Sequence, residues 1–511
     1  HCNKFSDKPA YHCLGQTLTF AQLEEKSRSL AQWLQYECGL QPGDRIAIQL
    51  PNITQYPIAA YAALRAGLVV VNTNPLYTPR EMKHQFTDAG ARVLVILSDM
   101  LPKFEEIKAD TDIEHVLVTG AADLIAPPKD KAHGYHDFVA AIEQGAALPA
   151  LQPVSATRAD IAVLQYTGGT TGVAKGAALT HENILANAAQ MLDRITQRCD
   201  ECKEIFVCPL PLYHIYAFTV NMLALFSLGA MNVLIPNPRD LDGFVKTIKP
   251  FKFTGLAGIN TLFVGLCRHP EFQQLDFSSL KVTFSGGAAL TRTAAELWQS
   301  VTGCTVTEGY GLSETSPVAT LNNFGVEEIG TVGTPLIGTR VEAWDENDQP
   351  LPVGEVGELV ISGPQVMQGY WQRPEETAKV MRNGFFRTGD MGMVQANGNI
   401  RIVDRLKDMV IVSGFNVYPN EIEDVLSSHP QIVEAAVTGT TDEKTGEAVV
   451  AHVVLAEAIS AQDIVDFCRK ELTAYKVPKH VVIHRELPKS TVGKILRREL
   501  RDQPVPAAET A

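Results

Sequence analysis

The stretch Tyr166-Thr-Gly-Gly-Thr-Thr-Gly-Val-Ala-Lys-Gly176 packs glycines, hydroxyls and one lysine into a single loop. Gly168, Gly169 and Gly172 can adopt positive φ at no steric cost and so let backbone N–H groups approach an anion, while Thr167, Thr170 and Thr171 add hydroxyl donors and Lys175 adds a charge. Backbone amides with a cation suit a triphosphate. A Walker A motif carries Gly-Lys-Ser/Thr into a helix, whereas here Val173 and Ala174 separate Gly172 from Lys175 and Gly176 follows. A P-loop NTPase is therefore disfavoured.

Outward from this loop, strand-like runs at 45–50, 91–97 and 231–235 alternate with helical patterns at 19–36 and 55–66. That βα rhythm predicts mostly parallel sheets covered by helices. Thr19 is an expected helix start, and Gly39 and Gly67 are expected stops. From about 330 the pattern changes to short β segments punctuated by Gly and Pro, as in 351–361, which reads as a small β-rich subdomain. Beyond Asp404 come helix patterns at 419–427 and 461–472, strands near 433–438 and 449–455, and a basic end. The expected fold class is α/β. A large N-terminal domain of α/β sheets (1–403) carries the β-rich subdomain, 404–407 form a hinge, and 408–511 form a small, mobile α+β C-terminal domain.

A chain of 511 residues exceeds what one core normally supports, and 45% hydrophobic residues suffice to build two or more. Its net charge of −14 argues against a general nucleic-acid binder, so an anionic ligand needs a local site. Nine scattered cysteines fit reduced thiols better than a disulfide framework. Cys199-x-x-Cys202 with Cys208 lacks a fourth ligand at finger-like spacing before His214, so no zinc site is expected. The chain opens at His1 without a basic-then-apolar leader, and its true start is expected upstream. Residues 205–238 contain no Asp, Glu, Lys or Arg before Arg239. Pro209, Pro211, His214, Asn221, Asn232 and Pro236 interrupt them, as expected of a buried strand, loop and helix rather than a membrane span.

Four further motifs follow the glycine-rich loop in order: Tyr310-Gly-Leu-Ser-Glu-Thr315, Arg387-Thr-Gly-Asp390, Asp404-Arg-Leu-Lys-Asp408 and Pro488-Lys-Ser-Thr-Val-Gly-Lys494. Together they resemble the acyl-adenylate-forming (AMP-binding) superfamily along nearly all of residues 5–500. Within it, Leu210-Pro-Leu-Tyr-His-Ile-Tyr216, Ser285-Gly-Gly-Ala-Ala-Leu290 and the segment 406–423 are most similar to bacterial long-chain fatty acyl-CoA synthetases. The resemblance implies a two-step reaction: carboxylate plus ATP gives acyl-AMP and pyrophosphate, and coenzyme A then displaces AMP. Attack of a carboxylate on the α-phosphate brings two anions together, so positive charge and Mg²⁺ are needed where charge develops.

The same resemblance assigns roles residue by residue. Glu314 and Thr167 help hold Mg²⁺, and 167–175 bind the β- and γ-phosphates, although a lone Glu in Glu314's context can also serve as a helix N-cap partner. Asp390 accepts the ribose hydroxyls; Gly286, Gly287 and Ala288 form a flat wall for adenine, with a structural turn as the alternative; Tyr310 supplies an aromatic face. Glu308, Gly309, Gly311, Leu312, Ser313 and Ile402 complete the nucleotide site, and Arg405 contacts ribose or phosphate or else forms an interdomain salt bridge. Lys494 reaches from the small domain to the substrate carboxylate and α-phosphate. Lys407 is the hinge about which that domain rotates, bringing Ser413, Gly414 and Phe415 to the pantetheine.

His214 and Phe218 stand at the family's aromatic gate to the acyl tunnel, with His214 also counted as catalytic and Gly311 beside the acyl chain; the tryptophan of some members is missing here. The segment 205–238 fits a tunnel and plain core equally. The implied activity is long-chain fatty acid:CoA ligation with Mg²⁺ as cofactor and ATP and coenzyme A as co-substrates, in a cytoplasmic enzyme of fatty-acid metabolism and beta-oxidation. Peripheral contact with the inner membrane and a homodimer are left open. Alternatives are a medium-chain or aryl-acid CoA ligase and an acyl-AMP ligase serving a carrier protein.

Overall fold

The run Ala91–Leu97 is buried along nearly its whole length, as a strand covered by helices on both faces must be. In the computed structural model, which describes residues 1–126, 134–167, 174–442, 444–490, 493–501 and 503, it lies inside an eight-stranded sheet. The order is Gly369–Tyr370, Lys175–Thr180, Ile161–Thr167, Val69–Asn72, Arg45–Gln49, Ala91–Leu97, His115–Thr119, His136–Asp137. From Ile161–Thr167 onward the neighbours are parallel, while Lys175–Thr180 doubles back antiparallel and Gly369–Tyr370 pairs antiparallel with it. The hairpin partners Ile161–Thr167 and Lys175–Thr180 flank the glycine-rich loop. Gly168, Gly169, Thr170, Thr171 and Gly172 themselves lie outside the described residues.

A second sheet of nine strands is parallel through Val306–Gly311, Val282–Ser285, Gly255–Gly258, Ile205–Cys208, Met231–Leu234 and Pro9–Cys13. One core joins the two sheets: Ile46 and Val163 of the first and Phe206 and Phe284 of the second belong to it, with Ile58 and Ala62 of helix Gln55–Arg65. The helix Phe20–Tyr36 begins where expected. Thr19 accepts from Gln22 N at 3.2 Å and Gln22 returns a bond to Thr19 N at 3.0 Å, a reciprocal cap worth about 1 kcal/mol.

The β-rich subdomain is an antiparallel sheet of Arg340–Trp344, Gly357–Ser362, Phe385–Val394 and Met381–Arg382, with Ile400–Arg405 added along Phe385–Val394. Of the expected run 351–361, only its end enters a strand, because Pro352 and Gly354 form the turn before it. After Arg405 no ladder bond crosses to the next sheet, which begins at Val410. That last sheet, of Val410–Val412, Phe415–Val417, Ile432–Asp442, Gly446–Leu455 and His480–His484, is covered by helices Pro419–Ser427 and Ala461–Glu471 over a core of Ile422, Leu426, Ile464 and Cys468.

The charge-free stretch resolves into strand Ile205–Cys208, a loop to His214, one helical turn Ile215–Ala217, wide π-helical turns Phe218–Leu225, and strand Met231–Leu234. Side-chain donors from outside the π turns reach their carbonyls: Asn232 Nδ2 donates to Asn221 O at 3.2 Å, and the Tyr61 hydroxyl to Met222 O. Among the described residues no helix is long and apolar enough to cross a membrane.

Candidate active site

A cavity of about 2930 Å³ opens where the parallel strands of both large sheets end and the small domain closes over them. The loops beyond Val69–Asn72, Ile205–Cys208, Gly255–Gly258 and Val282–Ser285 all contribute walls, as expected of ligand crevices at the carboxyl ends of open α/β sheets.

Thr167 and Lys175 sit directly opposite each other across the hairpin, and both line the cavity at the two ends of the glycine-rich segment. Lys175 is ion-paired with Glu376 and lies 5.4 Å from the Tyr370 ring centroid. His84 bonds the Ala174 carbonyl at 2.9 Å and Asp88 accepts from the Tyr166 hydroxyl at 2.7 Å, so the helix Pro79–Ala89 braces both flanks of the loop.

Glu314 follows the strand Val306–Gly311 on a short helical turn, Ser313–Thr315, and its side chain is buried. Its Oε1 accepts from the Tyr370 hydroxyl at 2.7 Å. Burial raises its pKa above the ordinary carboxylate value, with the Tyr370 bond opposing. Glu308, buried with Oε1 accepting from Leu290 N at 3.0 Å, is pushed up to about 8 by desolvation.

Asp390 and Arg405 are register partners in the antiparallel pair Phe385–Val394 and Ile400–Arg405. Arg405 Nε lies 3.0 Å from Asp390 Oδ1 while Tyr310 donates its hydroxyl to Oδ2 at 2.6 Å. Arg405 is thus paired within the β-rich subdomain rather than across to the small domain. An ionised carboxylate has about four acceptor positions, so Asp390 keeps capacity for two further hydroxyl donors. Ile402, Leu312 and Ser313 also line the cavity.

The glycines divide by cause. A Cβ on Gly311 would lie 1.9 Å from the Pro317 carbonyl and one on Gly309 2.9 Å from that of Thr320, so close backbone packing requires both. Gly287 has φ +84° with open space around it, and Gly286 has Tyr216 Cε1 3.3 Å from where a Cβ would stand. With Ala288 they form a wall without bulk.

Lys494 arrives from the small domain. Its backbone N–H donates to Ser490 Oγ at 3.1 Å and its carbonyl accepts from Ser490 N at 2.7 Å, a tight turn that carries Gly493 at φ +82°. A Cβ at Gly493 would meet Ile259 Cδ1 at 2.4 Å. Burial, and then the Arg405 charge, hold the Lys494 ammonium down to about 8, with Asp390 pulling the other way. His214 Nδ1 accepts from Tyr216 N at 3.3 Å, which assigns the ring proton to Nε2. Burial and the Lys494 charge lower it to about 4, so it is neutral at physiological pH.

Three expected site residues lie away from this cavity. Ser413 and Gly414 both have positive φ, forming a two-residue turn between Val410–Val412 and Phe415–Val417, and Phe415 is 57% exposed, stacked on Tyr475 at 4.9 Å. Phe218 also falls short of the wall. Its side chain is fully buried in the main core, because the turn at Ile215–Ala217 directs Tyr216 and not Phe218 to the cavity. Lys407 is on the wall, its pKa lowered to about 8 by burial and Arg405. Tyr216, Tyr370 and Glu376 also line the cavity, and none of the motifs read for site residues marks them, although Gly369-Tyr-Trp371 and Pro374-Glu-Glu-Thr377 carry the last two.

The cavity is walled by both segments that the family comparison recognises, with Thr167, Lys175 and Glu314 from the first and Glu421, Glu423 and Lys494 from the second. Residues 1–371 match the AMP-binding enzyme family and residues 421–494 the AMP-binding enzyme C-terminal domain, and the chain belongs to this family. It is 45% identical to a long-chain-fatty-acid–CoA ligase of Escherichia coli O6:H1, covering 98% of this chain and 92% of the relative. With a protein of that name from Bacillus subtilis it shares 40% over 98% and 92%. Among solved structures, an anthranilate CoA ligase in complex with anthranoyl-AMP superposes with a TM-score of 0.90 at 26% identity, covering 97% of this chain and 94% of that one.

Proposed function

We propose that this enzyme activates a long-chain fatty acid with ATP to acyl-AMP and pyrophosphate and then transfers the acyl group to coenzyme A, releasing AMP. The observation that carries the adenylation step is Lys494 lodged in the cavity within electrostatic reach of His214, Asp390 and Arg405. The acyl class rests on the long-chain-fatty-acid–CoA ligase relatives at 40–45% identity and on the apolar side chains Met191, Leu210, Val318 and Leu321 at the cavity wall.

In this reading Asp390 accepts the ribose hydroxyls, with Tyr310 and Arg405 fixing its orientation, and Lys175 with Thr167 faces the terminal phosphates. The adenine lies against Gly286, Gly287 and Ala288. Lys494 places its charge where the carboxylate attacks the α-phosphate and stabilises the negative charge that builds there. Neutral His214 presents Nε2–H to the cavity, a donor for the acyl carboxylate. The oxygen donors Glu314 and Thr167 fit Mg²⁺, which when bound would neutralise phosphate charge.

Coenzyme A must then reach the acyl carbonyl, which Lys494 and its loop cover. Residues 1–403 act as the adenylating body and 408–511 as the mobile domain, with the link 404–407 turning about Lys407. The gap between ladders at Arg405 and Val410 supports that position. Rotation there would carry the exposed Ser413-Gly414-Phe415 hairpin toward the pantetheine.

Pyrophosphate release over acids from C2 to C18 and aromatic acids, with and without coenzyme A, tests the proposal. Release that rises with acyl length, with AMP and acyl-CoA formed only when the thiol is present, is expected. A preference for benzoate-type acids overturns the acyl assignment, and release without any thioester product overturns the second step.

A further inference from the structure

Asp404 is the last but one residue of the strand Ile400–Arg405, in register with Met391 of the β-rich subdomain, and its side chain is fully buried. Arg497 belongs to the small domain, three residues after Lys494. Arg497 Nη1 donates to Asp404 Oδ1 at 3.1 Å, while its Nε and Nη2 grip Glu423 at 2.9 and 2.7 Å, and Asp408 Oδ2 lies 3.5 Å away. The other Asp404 oxygen accepts from Asn420 N at 2.7 Å, and Asn420 Nδ2 donates to the Val403 carbonyl at 3.1 Å. The chain passes from one side to the other through residues 406–409, and these polar bonds bridge the same junction.

Inside this cluster the Arg497 guanidinium faces Asp404, Glu423 and Asp408, and the Arg501 guanidinium lies at its edge, 3.1 Å from Asp408 Oδ1. A buried carboxylate without its guanidinium is costly, so the arrangement favours one orientation of the two domains strongly over others. Glu423, Asn420 and Arg497 move with the small domain; Asp404 and the Val403 carbonyl do not. Any rotation about Lys407 must therefore break the Asp404 bonds while sparing those to Glu423.

We propose that Arg497 is a positioning residue for adenylation: its bond to Asp404 latches the small domain in the orientation that places Lys494 in the cavity, and release of that bond permits the thioester step. The inference rests on the ligase reading above and adds to it the element that holds one of its two states.

Asp404→Asn keeps the side-chain volume and the Asn420 region while removing the charge; Arg497→Ala removes the other partner. In both, fatty-acid-dependent ATP–pyrophosphate exchange should fall at least about tenfold in kcat, because misplacing a catalytic group by an ångström costs that much or more. The KM for ATP should stay within about twofold, since the nucleotide's own contacts are untouched. Conversion of supplied acyl-AMP to acyl-CoA should be unchanged or faster. Tryptic cleavage after Lys407 in the folded variants should speed up relative to the parent. Equal loss in both half-reactions, or no change in exchange and cleavage, overturns the latch. If Arg497→Ala does not fold, Asp404→Asn decides. Absence of acid-dependent exchange in the parent chain would instead sink the ligase reading, leaving the cleavage comparison to judge the latch.

Discussion

Tyr370 donates its hydroxyl to Glu314 at 2.7 Å from a short strand paired with Lys175–Thr180. The bond selects one orientation for a buried carboxylate whose task, in the proposed reaction, is to meet a hard cation. Glu314→Ala should depress adenylation by about 10²-fold, as for loss of a preorganised charge-stabilising group. Tyr370→Phe should act in the same direction by about tenfold, the value of one hydrogen bond to a charged group. Titrating Mg²⁺ against pyrophosphate release checks both. A Tyr370→Phe enzyme with unaltered Mg²⁺ dependence would show that the bond serves folding alone.

Lys494 predicts a pH profile. Its ammonium is held down to about 8 by burial, and the cation is the active form, so kcat/KM for adenylation should be level below that pH and fall by about tenfold per unit above it. Between about 8 and the ordinary lysine value the unfolded chain binds the extra proton. This group's effect on stability therefore rises with pH over the window in which its activity declines. Lys494→Arg should erase the alkaline fall, and Lys494→Ala should lose acyl-AMP formation while retaining thioester formation from supplied acyl-AMP. A fall that persists in the arginine variant would assign it elsewhere.

Glu376 holds Lys175 in an ion pair that a triphosphate must displace. The side chains are 35% and 30% exposed, so solvent screens the pair and its loss costs little. Glu376→Gln is expected to lower the KM for ATP by about threefold with kcat nearly unchanged. Steady-state kinetics at low ionic strength give the answer, and a higher KM would mean that Glu376 orients Lys175 instead of competing for it.

Acyl length tests the apolar wall. Each methylene that enters adds up to about 0.8 kcal/mol of binding, so KM should drop with length to at least C12 by that estimate. Leu210, on that apolar wall, is the side chain whose enlargement to Trp should penalise long acids more than short ones. Equal penalties across the series would place the acyl path elsewhere.

The α/β rhythm, the helix start at Thr19 and the small-domain helix Pro419–Ser427 were legible because each has a local cause: period, cap or turn. Site residues carried by ordered motifs, Asp390, Glu314 and Lys494, also came together on the cavity wall. What escaped depends on tertiary direction. The side chain that reaches the wall after His214 is set by one helical turn and the π turns after it, so Tyr216 and Phe218 could not be told apart by spacing. Nor does any local pattern announce that Asp404 and Arg497 meet. Gly311 lines the cavity as read, but the reason that only glycine fits there, the Pro317 carbonyl packed against it, is a tertiary contact that no local pattern announces.

At Gly493 the small domain comes so near Ile259 that a methyl group would stand 2.4 Å from Cδ1. The added carbon would meet the tip of a flexible side chain, which can turn aside, but it would also strain a backbone held at φ +82°. The cost falls on the residue directly before Lys494, so the aim of that ammonium depends on a backbone geometry that glycine adopts far more readily than any other residue.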